Sequence, residues 1–209
     1  MTEYEFENAL MQRHGIENQQ KISQASVGIA GLGGLGSNIA FFLARCGIGK
    51  LVLVDFDTVD ISNLNRQQYR ICDIGKPKPR ALVDQLMQIN PYSRYETHFE
   101  KVTPENMVEL FGECNVLCEA FDKADQKAMM AETVLCEMPE IPLVSASGMA
   151  GFGSANRIHT VQKRKNFYLC GDGESDIEKG IGLIAPRVAV CAAHQAMMAL
   201  RLILGKQEP

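Results

Sequence analysis

A glycine loop near the amino terminus constrains this chain more than any other feature. The hexapeptide Gly31-Leu32-Gly33-Gly34-Leu35-Gly36 follows a short apolar run at 27–30 and precedes helical periodicity from about Ser37. Glycines allow positive φ angles and let the backbone approach a phosphate closely. The following helix offers free N–H groups and the positive end of its dipole. The loop therefore predicts a strand–loop–helix unit that binds a nucleotide.

The rest of the chain alternates between short apolar runs and amphipathic stretches. Strands are predicted at 27–30, 50–54, 94–99, 116–118, 142–145 and 158–161. Helices are predicted at 3–22 (with Gly15 as an interruption), 37–46, 77–89, 104–111, 124–138 and 186–204, and an exposed loop at 163–182. This alternation predicts an α/β fold: a Rossmann-like, doubly wound, mostly parallel sheet with an added antiparallel β extension and a C-terminal helix. We expect residues 1–209 to form a single domain.

Composition and charge exclude several functional classes. The net charge of −4 argues against a generally basic nucleic-acid or membrane-surface binder, and a hydrophobic content of 46% excludes disorder. His194, Gln195 and Arg201 interrupt the most apolar stretch, 188–204, which favours a buried helix over a membrane span. The amino-terminal segment is polar and acidic, unlike a signal peptide.

The cysteines point to a reducing compartment. There are seven, an odd number, scattered mostly through apolar segments, and no Cys-x-x-Cys pair occurs. Together with the lack of an export signal, this predicts reduced thiols in a cytoplasmic protein. We expect no zinc site of the usual paired-cysteine kind.

Asp55 ends the second predicted strand, 24 residues after Gly31. An acid at this position accepts hydrogen bonds from both hydroxyls of a ribose. NAD, FAD and ATP all present a ribose and phosphates to such a site. The glycine loop and Asp55 therefore leave the identity of the nucleotide open.

The polar segment after Asp55 is unlike that of a dehydrogenase. It contains Asp57, Asn63, Arg66 and Gln67, and Lys78 follows on the helix that Pro77 begins. A triphosphate needs fixed positive charge against its own negative charge, whereas a dinucleotide is usually satisfied by the glycine loop. The alternative is a solvated charged loop.

Asp122 follows the strand predicted at 116–118. Because the carboxyl ends of strands in an open α/β sheet converge on the ligand crevice, this carboxylate is expected near the phosphates. One carboxylate together with phosphate oxygens is a usual set of Mg²⁺ ligands. The alternative is that Asp122 caps the helix predicted from about residue 124.

Four motifs, in order, identify a resemblance. The segments GLGGLGS, DFDTVDISNLNRQ, GKPK and EAFDK resemble the ThiF/MoeB/HesA family, bacterial relatives of ubiquitin-activating enzymes, over about Gln12 to Gly205. The resemblance implies binding of ATP and Mg²⁺. It also implies adenylation of the C-terminal Gly-Gly carboxylate of a small ubiquitin-like sulfur carrier, with release of pyrophosphate.

The resemblance also assigns roles to residues. The implied nucleotide-binding set is Gly31, Gly33, Gly34, Gly36, Asp55, Asp57, Ser62, Asn63, Arg66, Gln67, Lys78, Asp122 and Lys123. Within it Arg66 and Lys78 are expected to act on the phosphates, and Asp122 to hold Mg²⁺; Lys123 stands where the family usually has asparagine. Arg13 matches an arginine that reaches the neighbouring subunit's ATP, which implies a homodimer; alone, it is typical of a solvated helix residue.

The departures from the family pattern shape the functional hypothesis. Family members often carry zinc-binding Cys-x-x-Cys pairs and a catalytic cysteine before the segment matching Ala185-Pro186, and 177–184 contains no cysteine. Cys170 is the one candidate substitute, and an inert exposed thiol on the predicted loop is favoured. The chain is thus most similar to a short thiamine-type adenylating protein for a ThiS-like carrier. Alternatives are a MoaD-like carrier, a peptide or a tRNA-borne carboxylate as the acceptor, or a nucleotide-binding scaffold without turnover; an NAD-dependent oxidoreductase fits least.

Overall fold

Within residues 1–175 and 182–209, which the computed structural model describes, seven strands form one sheet. The strands are β1 (Ser26–Ala30), β2 (Lys50–Val54), β3 (Arg94–His98), β4 (Val116–Glu119), β5 (Leu143–Ala146), β6 (His159–Arg164) and β7 (Phe167–Gly171). The helices are α1 (Glu3–His14), α2 (Ile16–Gln24), α3 (Gly34–Arg45), α4 (Lys78–Leu86), α5 (Pro104–Phe111), α6 (Ala124–Glu137) and α7 (Ala185–Ile203).

The sheet has the strand order β3-β2-β1-β4-β5-β7-β6. Every neighbouring pair is parallel except β6 and β7. The chain leaves β1 towards one edge and returns to β4 on the other side of β1, which creates a crevice at the carboxyl ends of these two strands. The predicted Rossmann-like sheet with an antiparallel extension is therefore confirmed.

Helices cover both faces of the sheet. On one face α3 and α7 contribute Ile39, Leu43, Val188 and Met198 to one core cluster. On the other face α5 and α6 contribute a second cluster that includes Phe111. Because both faces are covered, the central strands are continuous apolar runs rather than alternating ones.

The first and third helices differ slightly from their predicted bounds. The stretch 3–22 is divided at Gly15, whose φ of 84° ends α1 and begins α2. The helix after the glycine loop begins at Gly34 rather than Ser37, so the last three residues of the loop already form its first turn. Glycine is a poor helix former, which is why propensity alone sets the start too late.

The predicted loop at 163–182 is wrong in its first half. β6 continues to Arg164 and pairs antiparallel with β7, a strand that the sequence pattern does not predict. The hairpin turn is basic. Because this polar sequence directly precedes the short apolar segment, the pattern predicts a loop there instead of a strand. Tyr168 and Cys170 are fully buried against β5. Residues 176–181 of the predicted loop lie outside the described residues.

The C-terminal helix is observed as α7, one residue earlier than predicted at each end. In the part of the chain that the structure describes, no helix combines the length and apolar character needed to cross a membrane.

Candidate functional site

A cavity of about 600 Å³ runs along the carboxyl ends of the parallel strands. Its wall is built from the segment that follows each strand. In the order of the strands in the sheet, from β3 to β7, these segments contribute Glu100 and Val102, Asp55–Asp57, Gly31 and Gly33–Leu35, Ala120–Ala124, Ser147–Ala150 and Ser175. A ligand in this cavity is therefore contacted by several loops that are far apart in sequence.

The glycine loop forms the middle of the wall. Gly31 has a φ of 88°, and a Cβ built on it would lie 2.9 Å from the backbone oxygen of Ala120. A Cβ on Gly36 would lie 1.9 Å from the backbone oxygen of Gly31. Gly33 stands at the N-cap of α3 and no side chain caps the helix, so the first-turn N–H groups have no side-chain partner. This arrangement suits an anion such as a phosphate.

Asp55 lies beside the loop and is buried. Its Oδ2 accepts a hydrogen bond of 2.6 Å from the Leu32 N–H, and its Oδ1 accepts one of 2.8 Å from the Asp57 N–H. Burial raises the pKa of Asp55, and the nearby Lys78 ammonium and the two N–H groups oppose that rise. The carboxylate thus couples the glycine loop to β2, and each oxygen retains a lone pair for a ligand hydroxyl.

Lys78 begins α4 and is 5% exposed. Its Nζ lies 2.8 Å from Oδ2 of Asp57, whose side chain is half exposed at the cavity wall. The Lys78 N–H also donates to the Asp57 carbonyl. Two charged residues of the predicted set are therefore joined as an ion pair, a contact that their sequence separation does not reveal.

The segment containing Arg66 folds over the start of α3. The Tyr69 hydroxyl donates to the Leu32 carbonyl at 2.8 Å, and Gln68 donates to the Asn38 side chain at 2.7 Å. Asn38 in turn donates to the Arg66 carbonyl at 3.2 Å. These bonds hold Arg66 and Gln67 in the cavity wall beside the glycine loop.

Two side-chain atoms in this segment lack partners among the described residues. They are Nε of Arg66 and Oε1 of Gln67, and both atoms are buried. Arg66 does use Nη1, which donates to the Ser62 carbonyl and to Oδ1 of Asn65. Because buried polar atoms usually have a partner, these two atoms fit a polar ligand bound in the cavity. The alternative of a fully solvated loop does not fit Arg66.

Asp122 follows β4 and is exposed at the cavity wall. The alternative that it caps α6 is wrong, because Lys123 occupies the N-cap position and no side chain caps that helix. Among the described residues Asp122 has no hydrogen bond or ion pair, so its carboxylate is available to a ligand. Lys123 lines the same part of the wall.

The structure places most of the predicted set around this one cavity. The predicted residues that line it are Gly31, Gly33, Gly34, Asp55, Asp57, Asn63, Arg66, Gln67, Lys78, Asp122 and Lys123. Gly36 lies behind the wall, where it permits the tight loop. Ser62 is exposed and its hydroxyl donates to Asp60 at 2.6 Å, so the structure does not bring it to the cavity. Arg13 is exposed on α1, also outside the cavity, and its role towards a second subunit stays a prediction.

Sequence reasoning missed a charged pair of which one member, Lys127, lines the cavity. Glu119, at the end of β4, is completely buried, and both of its carboxylate oxygens accept hydrogen bonds from Lys127 Nζ, at 2.9 and 3.2 Å. The Ser145 hydroxyl also donates to it. The available signal is the position of Glu119 at the end of an apolar strand, because a buried carboxylate requires a counter-charge.

The expectation of an exposed thiol at Cys170 is wrong. Cys170 lies in β7 with none of its surface exposed, and burial raises the pKa of its thiol to about 11. The thiolate is the nucleophilic form of cysteine. A buried thiol that stays protonated at neutral pH cannot replace a catalytic cysteine.

We expect thiol labelling to separate Cys170 from the exposed cysteines. Cys72 and Cys136 are exposed. With iodoacetamide at pH 8 the two exposed residues should be alkylated at least about a hundred times faster than Cys170, because labelling of Cys170 requires local unfolding. Peptide mass spectrometry of the alkylated protein measures each rate, and unfolded protein serves as the control. Equal labelling of Cys170 in the folded protein would contradict its burial.

All seven cysteines are free thiols. Among residues 1–175 and 182–209 there is no group of three or more His, Cys, Asp or Glu side chains arranged to hold a metal ion. The expectation of no zinc stays a prediction.

The chain is similar to known proteins in both sequence and structure. It is 31% identical over 199 residues to the sulfur carrier protein ThiS adenylyltransferase of Escherichia coli K12, which covers 93% of this chain and 78% of that protein. It spans less than half of some longer curated relatives. One is the adenylyltransferase and sulfurtransferase uba4 of Aspergillus niger, 38% identical over 136 residues, or 65% of this chain and 28% of that one.

Among solved structures, the fold matches tRNA N6-threonylcarbamoyladenosine dehydratase (TcdA) of E. coli in complex with AMP. The TM-score is 0.84 at 24% identity, with 95% of this chain and 93% of that chain covered. Finally, a family model described as the ThiF family matches residues 6–209. Because this match covers nearly the whole chain, the chain belongs to the ThiF family.

Proposed function

We propose that this protein is an ATP- and Mg²⁺-dependent adenylyltransferase that activates the C-terminal Gly-Gly carboxylate of a small, ThiS-like sulfur carrier in thiamine biosynthesis. One observation carries the proposal. The unpartnered atoms of Arg66 and Gln67, the buried Lys78 and the available carboxylate of Asp122 line one cavity around a glycine loop. This donor set suits a nucleoside triphosphate with a metal ion. The relative from E. coli named for ThiS adenylation supports the choice of carrier.

The choice of ATP over a dinucleotide is supported by the cationic side chains of Arg66, Lys78 and Lys123 in the cavity wall, since a triphosphate needs fixed positive charge. The AMP bound to the TcdA structure fits the same conclusion for that protein.

The chemistry needs little from the protein besides position and charge. An oxygen of the acceptor carboxylate attacks the α-phosphorus of ATP, and a new bond forms between that oxygen and the phosphorus. The bond from that phosphorus to the oxygen bridging the α- and β-phosphates breaks, and pyrophosphate leaves with the electron pair. The carboxylate is already ionised at neutral pH, so no proton has to move.

The residues of the cavity would act on this step through binding and electrostatics. The N–H groups at the start of α3 would hold the phosphates, and Arg66 and Lys78 would stabilise the charge that builds up on them. Asp55 would accept hydrogen bonds from the ribose. An exposed, unpartnered carboxylate fits Mg²⁺, which binds through one or two carboxylates plus phosphate oxygens. Asp122 would hold it, and the ion would supply further positive charge to the phosphates.

ATP–pyrophosphate exchange tests the proposal. We expect exchange of labelled pyrophosphate into ATP with a ThiS-like carrier ending in Gly-Gly. The same carrier without its last two residues should give no exchange, because it lacks the Gly-Gly carboxylate that attacks the α-phosphorus. Exchange with only a MoaD-like carrier, a peptide or a threonylcarbamoylated tRNA would redirect the assignment to that acceptor. ATP binding without exchange on any acceptor would contradict catalysis and favour a scaffold.

We also propose that the protein acts as a homodimer in which Arg13 of one subunit reaches the cavity of the other. Arg13 lies in the last turn of α1, an exposed helix. The acidic first turn and the basic last turn of α1 match the helix dipole. The assembly is tested by the mixing experiment described with Asp122 below.

A further inference from the structure

Glu119 and Lys127 form an ion pair that the adenylation scheme above does not use. Glu119 is completely buried, and the side chain of Lys127 is 23% exposed. Removing a carboxylate from water is costly unless it is paired and hydrogen-bonded. The Glu119 carboxylate is compensated by its ion pair with Lys127 and by hydrogen bonds from the Ser145 hydroxyl and the Phe121 N–H, the latter at 2.7 Å. A purely structural pair would be satisfied by these contacts alone.

Lys127, however, also lies in the wall of the cavity. An ammonium group has three N–H donors, and Glu119 accepts two of them. No other acceptor bonds Lys127 Nζ among the residues that the structure describes. One donor is therefore uncommitted in a residue that faces the ligand space.

The strand order indicates what this donor would meet. The phosphate-binding start of α3 follows β1, and the segments after β4 and β5 lie successively farther along the cavity. Lys127 is on the first turn of α6, which follows β4, and its partner Glu119 also accepts a hydrogen bond from Ser145 of β5. It therefore lies on the side of the glycine loop opposite to the segment after β2 that carries Asp55.

We propose that Lys127 is a further catalytic residue, which donates a hydrogen bond to the carboxyl–phosphate linkage where the acceptor joins the α-phosphate. Glu119 is its positioning residue, since it fixes the direction of the ammonium group before any ligand binds. A charged donor held in place in advance is the arrangement that stabilises developing charge most effectively. This inference rests on the proposed adenylation.

The test uses a stable analogue of the product, 5′-O-(N-glycylsulfamoyl)adenosine, with 5′-O-sulfamoyladenosine as the matched compound that lacks the acyl group. We expect wild-type protein to bind the glycyl compound more tightly. Lys127→Met should weaken that binding by about tenfold or more, the loss expected for a hydrogen bond from a charged group, while adenosine affinity changes by less than about twofold. Lys127→Arg should retain most of the affinity. Isothermal titration calorimetry measures each value.

The double variant Glu119→Gln/Lys127→Met separates catalysis from folding. Lys127→Met alone leaves a buried carboxylate without its counter-charge, and the second substitution removes that charge. If the pair is purely structural, the double variant should recover both thermal stability and affinity for the glycyl compound, and this result would overturn the inference. We expect stability to recover while the affinity stays low.

The same titrations distinguish this inference from the proposed function. Wild-type protein that binds the glycyl compound no better than sulfamoyladenosine contradicts adenylation itself, and the inference fails with it. Wild-type protein that prefers the glycyl compound, with Lys127→Met unchanged in that preference, overturns only the role of Lys127.

Discussion

Substitution of Asp122 by alanine is expected to lower ATP–pyrophosphate exchange by about a hundred- to a thousandfold, the usual cost of removing one preorganised electrostatic group from a reaction centre. The protein should remain folded, because Asp122 is exposed and has no hydrogen bond or ion pair among the described residues. Exchange should depend on the concentration of Mg²⁺ in the wild type. The thermal unfolding midpoint measured beside the exchange rate verifies that only activity changes.

Asp125→Ala is the matched control for this prediction. Asp125 is also an exposed acid at the start of α6, but it does not line the cavity. Its loss removes a favourable interaction with the helix dipole of about 0.3–1 kcal/mol and should leave exchange within a few-fold of the wild type. Undiminished exchange in Asp122→Ala, or equal losses in the two variants, would contradict the assignment of Asp122 to Mg²⁺.

The Asp122→Ala protein also tests the shared site. If Arg13 of one subunit serves the cavity of the other, Arg13→Ala should impair exchange as well. Mixing the two inactive proteins then forms heterodimers in which one cavity has both residues intact. About a quarter of the wild-type rate should return for random pairing, since half the dimers are mixed and each holds one complete site. No recovery in dimers shown to exchange subunits would contradict the shared site.

Gly36→Ala is expected to destabilise the protein strongly. The added Cβ would lie 1.9 Å from the Gly31 carbonyl oxygen and 3.2 Å from Ile29 Cγ2. The first of these is a backbone atom of the loop, so relief requires movement of α3 away from β1. We expect a loss of about 2–4 kcal/mol in the free energy of unfolding, the range of severe core strain. Denaturant unfolding monitored by circular dichroism measures it.

Gly182→Ala provides the control for a glycine without such a contact. A Cβ added to Gly182 would meet no atom within 4 Å among the described residues, and the φ of this glycine is ordinary. That substitution should change the free energy of unfolding by less than about 0.5 kcal/mol, as for most surface positions. If Gly36→Ala were as stable as Gly182→Ala, the close packing of the loop on α3 would be wrong.

Much of the site is predictable because parallel topology brings strand ends together. Asp55, Asp122 and the glycine loop each follow a buried strand, and the order β2-β1-β4 makes these strands neighbours. The spacing of these residues along the chain is therefore enough to predict one shared cavity. Their presence in the wall does not depend on the details of side-chain packing.

The incorrect predictions for β7 and Cys170 arise because a buried strand lies next to polar sequence. β7 follows the basic turn of the β6–β7 hairpin, and its apolar residues form only a short run. Its burial depends on pairing with β5, which lies more than 20 residues earlier in the chain. The sequence pattern consequently puts Cys170 on a loop, although the tertiary contacts of β7 exclude it from solvent.

Charge pairing is the other feature that sequence reasoning did not reach. Lys78 pairs with Asp57 across 21 residues, and Lys127 pairs with Glu119 across eight. Each pair depends on where a helix crosses the sheet and on the rotamer of a long side chain. Local periodicity does not encode either property.

The sequence by itself determined the fold class, the family resemblance and the nucleotide-binding strand–loop–helix unit. These follow from local rules: glycine permits the turn, apolar runs bury strands, and parallel strands need helical crossovers. Only the tertiary structure decided that Asp122 is not a helix cap, that Cys170 is buried, and that Lys127 faces the cavity with Glu119 behind it. The physical reason is that burial and ion pairing belong to contacts between elements, and these contacts exist only once the sheet and its helices have assembled.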